Sequence, residues 1–104
     1  MSGRATAATR LERALVKHAA AAGVGLTIDA MASTRWASAT FVGARHRLEL
    51  VVAGDGAELW LEELAEADLP IPGHLVADVA MIHQRHSAAG STATAEMLTV
   101  EDGG

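Results

Sequence analysis

The chain has 104 residues, half of them apolar, with two tryptophans and one phenylalanine, no cysteine, and a net charge of −5 with histidine neutral. That length suits one domain able to bury a core without staples, and the lack of cysteine excludes disulfides, thiolate metal sites and thiol nucleophiles. Eight cations spread along an acidic chain disfavour nucleic acid as a partner, and no run of about 18 apolar residues exists to span a bilayer.

Residues 1–8 are small and polar and read as a disordered lead-in. Thr9 and Glu12 have the spacing of a capping box. Leu11, Ala14, Leu15, Ala19 and Ala22 recur behind them at helical spacing, which predicts a helix closed by Gly23, with Arg10, Arg13 and Lys17 facing water. From Val24 the period changes to two. Leu26, Ile28, Ala30 and Ala32 alternate with Thr27, Asp29, Met31 and Ser33, the pattern of a half-buried strand. Trp36 keeps the apolar phase and Phe41 does not, so a bulge or bend is expected between Arg35 and Phe41, followed by a hairpin around Gly43. The returning strand puts His46, Leu48, Leu50 and Val52 on one face and Arg45, Arg47 and Glu49 on the other.

The stretch AGDGAELWLEELAEADLPIPG is ambiguous, because Asp-Gly after a strand can be a second hairpin turn. The capping spacing of Asp55 and Glu58 and the i, i+3, i+4, i+7 recurrence of Ala57, Trp60, Leu61 and Leu64 favour a helix over residues 57–67, ending before Pro70. Next comes HLVADVAMIHQRH, apolar on both phases, with Leu75, Ala77, Val79 and Met81 on one face and Val76, Ala80 and Ile82 on the other. A turn at SAAGS and a strand over residues 92–100 complete a single domain over residues 9–100, with 101–104 as a flexible tail. The order α-β-β-α-β-β predicts an α+β two-layer sandwich, a four-stranded antiparallel sheet carrying two helices on one face.

In that arrangement Val51, Val76, Ala80 and Ile82 lie on the uncovered face of the sheet. A contiguous apolar patch there predicts a homodimer that buries it. The basic hairpin offers a second candidate, since Arg35, Arg45 and Arg47 beside Trp36 could grip a small anionic ligand while the indole stacks on its planar part. Against this, the arginines can instead pair with Glu49, Asp29 and Glu96 across the sheet, with Trp36 and Phe41 serving as core.

Metal and enzyme chemistry are weakly indicated. His74 and Asp78 sit four apart on a strand, roughly 13 Å by rise alone, and no HExxH, GxSxG or phosphate-loop pattern occurs. The expectation is therefore a small non-catalytic protein without cofactor or metal, a dimeric interaction or ligand-binding module. The alternative is a small enzyme or metal-dependent protein with a pocket built from His46, His74, Asp78 and His83. Seven arginines against one lysine, with abundant alanine, match a GC-rich bacterial genome, and a cytoplasmic setting is expected since the start of the chain lacks a signal-peptide pattern.

Overall fold

A computed structural model describes residues 6–101, in the order α1 (Ala7–Ala22), β1 (Gly25–Ala37), β2 (Val42–Ala53), α2 (Ala57–Leu64), β3 (His74–Ser87) and β4 (Gly90–Glu101). The four strands form one antiparallel sheet in the order β1-β2-β4-β3, with both helices packed on one face. The expected α+β class and element order are present.

The first helix starts earlier than the Thr9 spacing implies. Its cap is Thr6, whose hydroxyl accepts the Thr9 N–H at 3.1 Å, so Thr9 is the donor at the helix start and not the cap. Residues 6–8 therefore belong to the folded domain, and the rest of the expected lead-in lies outside the described residues. At the other end Gly23 takes φ +78 and its N–H turns back to the carbonyls of Ala19 and Ala20. The second helix is capped at Gly56 with no side-chain bond, so Asp55 does not play the expected role, and the helix proper stops at Leu64. Glu101 pairs with His74 and so belongs to β4, leaving only residues 102–104 of the expected tail outside the described residues.

The core sits between the helices and the inner face of the two central strands. Leu11, Leu15 and Ala19 of α1 and Ala57, Trp60, Leu61 and Leu64 of α2 cover Leu48, Leu50, Val52, Ala93, Ala95 and Met97. The two helices are tied by a bond from the Trp60 indole N–H to His18 Nδ1 at 2.9 Å. Burying a leucine of this kind stabilises by about 1.5–3 kcal/mol, so these positions dominate the stability of an alanine-rich chain.

The second strand keeps perfect alternation, while both edge strands break theirs. A bulge at Asp29 in β1 lets Ile28 and then Met31 face the core opposite Leu50 and Leu48. Beyond it the phase is reversed, which turns Trp36 to the outer face and Arg35 to the inner one, the opposite of the sequence expectation. Bulges at Ala77 and Ile82 do the same in β3, so that Val76, Val79 and Met81 all pack inward. Bulged edges are also poor templates for further strand pairing.

The hairpin turns at Ser38–Phe41 and not around Gly43. The Ser38 hydroxyl accepts the Phe41 N–H at 3.0 Å, and Phe41 at the tip is 57% exposed, so it is not a core residue. Gly43 lies inside β2, where a Cβ would collide with the Thr99 carbonyl and stand 2.8 Å from the Trp36 ring. Glycine at this position lets the Trp36 indole lie across the strand.

Candidate functional site

At about 3.3 Å per residue the 13-residue β1 runs for about 43 Å, whereas the 16-residue α1 spans about 24 Å. The helices therefore cannot cover the whole inner face. Where the chain leaves α2 and crosses back over the sheet to start β3, residues 65–73 lie alongside the first half of α1 and leave a groove between them of about 880 Å³.

The groove has two unlike walls. On the α1 side, Arg10, Arg13 and Lys17 lie on one flank of the helix with Ala14 below them. On the other side, Leu69, Pro70, Ile71, Leu75 and Val76 supply apolar surface, with Asp68 and His74 at its margins. Leu69 and Ile71 are anchored in the core, so this wall is fixed from beneath. Arg10 donates to the Pro72 carbonyl at 2.6 Å and pins the loop to the helix. Arg13 and Lys17 are exposed and have no salt-bridge partner among the described residues, which leaves two cations facing the opening.

The sequence pattern concealed this site. Arg10, Arg13 and Lys17 read as the solvated side of an amphipathic helix, and nothing in one sequence shows that the Leu69–Pro72 loop lies beside them. The only available signal was three cations on one helix flank with Glu12 the sole acid among them.

The four residues of the basic hairpin do not form one grip. Arg35 faces inward and approaches Glu101 at 4.0 Å, while Trp36, Arg45 and Arg47 face outward. Arg47 pairs with Glu96 directly opposite it at 3.2 Å. The Trp36 indole N–H is buried without a hydrogen-bond partner. Of the residues expected on the uncovered face, Val51 and Ala80 are there, Ile82 sits at a bulge and is 51% exposed, and Val76 packs inward because of the bulge at Ala77.

The four residues of the enzyme alternative are divided as well. His46 and His74 lie on the inner face and Asp78 and His83 on the outer one. Among the described residues no group of three or more His, Asp or Glu side chains stands together as a metal site would require.

His46 instead belongs to a buried polar chain. It is fully buried, with Nδ1 2.7 Å from the Ser33 hydroxyl and Nε2 2.8 Å from that of Thr99. Thr99 donates weakly to the Ala44 carbonyl at 3.4 Å, so its oxygen accepts from His46 Nε2–H, which leaves Nδ1 to accept from Ser33. This fixes one neutral tautomer. Burial, and secondarily the nearby His74, hold the imidazole below the ordinary histidine range.

No family model, curated protein or solved structure matches this chain. No helix among the described residues is long and apolar enough to cross a membrane.

Proposed function

We propose that the chain is a non-catalytic ligand-binding module of the bacterial cytoplasm that holds a small amphipathic anion, such as a medium-chain carboxylate, in the groove beside α1. The observation that carries this reading is the pairing of the exposed cations Arg13 and Lys17 with an apolar wall of Leu69, Ile71 and Val76 in a cleft of about 880 Å³, a size within the usual range for small-molecule sites. The head of such a ligand lies against the two cations, which have no ion-pair partner among the described residues to give up. Its tail covers the apolar wall, where each buried methylene contributes about 0.8 kcal/mol.

Isothermal titration with sodium octanoate tests it, with octanol as the uncharged control. The expected result is one site per chain, with octanol and the R13E/K17E variant each binding at least about tenfold more weakly, a change of about 1.4 kcal/mol. Equal binding by the variant, or no binding of octanoate, contradicts the proposal. Arg10 is left intact because it holds the loop in place.

A further inference from the structure

The sheet face away from the helices carries charges of opposite sign in mirrored positions about β4. Arg45 on β2 and Asp78 on β3 are both opposite Leu98 of β4. Glu49 on β2 and His83 on β3 are both opposite Thr94, and Gly43 and Leu75 are both opposite Val100. Within one chain these partners are separated by the width of two strand spacings, about 10 Å, and cannot pair. Among the described residues neither Arg45 nor Asp78 has a salt-bridge partner.

A twofold axis lying in the plane of this face and running along β4 places β2 of one copy over β3 of the other. The unpaired charges nearest the axis then find partners, while Val51 lies over Arg85 and Arg47 over Ala80 towards the far end. Arg45 meets Asp78 of the second copy, Glu49 faces the second copy's His83, and the 60% exposed Leu75 lies against the Trp36 indole that covers Gly43. Because the operation is its own inverse, each contact occurs twice. On the axis Leu98 and Val100 meet their own copies as an apolar seam. The Glu96 carboxylates that also approach one another are neutralised by Arg47 at 3.2 Å.

We propose that the chain forms a homodimer by packing these two outer sheet faces, with Arg45 of each copy paired to Asp78 of the other. Facing sheets cross at about 30°, so register is kept best where the axis passes Leu98, beside the Arg45 and Asp78 pairs. With the axis on β4 the overlap takes in β2, β4 and β3. Three strands about 4.8 Å apart and ten residues long present roughly 475 Å² in projection, below the scale of about 800 Å² per partner in a standard interface and in keeping with association at micromolar concentration. The Arg45 and Asp78 pairs lie on the opposite side of the sheet from the groove cations Arg13 and Lys17, and only Leu75, at the edge, borders both surfaces, so R45D and D78R test the dimer without altering the groove.

The test measures mass by analytical ultracentrifugation over about 5–200 μM at low salt for wild type, R45D and D78R, with circular dichroism confirming that each is folded. Wild type is expected at twice 10.7 kDa and each single variant at the monomer mass, with association weakened on the order of tenfold or more because two attractive pairs become repulsive. Mixing the two single variants is expected to restore the dimer. The carboxylate introduced by R45D in one copy then meets the guanidinium introduced by D78R in the other, and the native Asp78 and Arg45 that remain also pair. A wild type that stays monomeric, single variants that dimerise as wild type does, or a mixture that remains monomeric overturns the proposal. If either single variant fails to fold, the R45D/D78R double variant, in which each pair is exchanged, replaces the mixture and must dimerise.

Discussion

Lowering the pH isolates the contribution of His46, because its burial has a calculable consequence. The imidazole is fully buried, accepts from Ser33, donates to Thr99, and is held below the ordinary histidine range by burial and by His74. Above about pH 6.5 the ring is neutral in both folded and unfolded chains, and this group gives no pH dependence. Below that value the unfolded chain binds a proton that the folded chain does not, so stability falls as pH falls, until the folded ring itself titrates. The loss from this one group is at most about 1.4 kcal/mol at pH 5.5, from one proton over one pH unit. Replacing His46 by leucine removes the titrating group while leaving Thr99 its bond to Ala44 and exposed Ser33 open to water. Urea unfolding of wild type and H46L at pH 7.5, 6.5 and 5.5 measures the effect. The gap between the two proteins is expected to shift by about 1 kcal/mol in favour of the variant over that range, and a gap that stays constant with pH refutes the reasoning.

Two further substitutions probe the sheet. Gly43→Ala is expected to cost roughly 1–3 kcal/mol in urea unfolding, and removing the indole with W36A in the same chain is not expected to restore it, since the collision with the Thr99 backbone remains. Replacing Arg47 by alanine is expected to cost less than about 1 kcal/mol in the same assay run at a concentration where the chain is monomeric, because in the single chain its pair with Glu96 is more than a third exposed on both sides and screened by water.

How far the sequence discloses this protein depends on which strand is read. In β2 the alternation runs unbroken from Arg45 to Val52, and the faces it predicts are the faces observed. In β1 and β3 the same reasoning loses the phase at Asp29, Ala77 and Ile82, because a bulge inserts one residue without leaving a mark in composition. Trp36, Arg35 and Val76 change sides for that reason alone. Those reversals also redistribute the apolar side chains of β3, since Val76 joins Val79 and Met81 against the core while Leu75 turns to the outer face and is 60% exposed. His46 was a local signal, a histidine in the apolar phase of a core strand, but its partners Ser33 and Thr99 are 13 and 53 residues away and only the strand order brings them together. The groove depended in the same way on a crossing loop whose path no periodicity encodes.

The reading of the groove as a site for an amphipathic anion is tested most directly by nitrogen–proton correlation spectra of the labelled protein titrated with octanoate. Shifts concentrated in residues 10–17 and 67–76 are predicted, saturating with one ligand per chain. Spectra that do not move, or that move around Arg45 and Arg47 on the outer face while the α1 resonances stay fixed, contradict it.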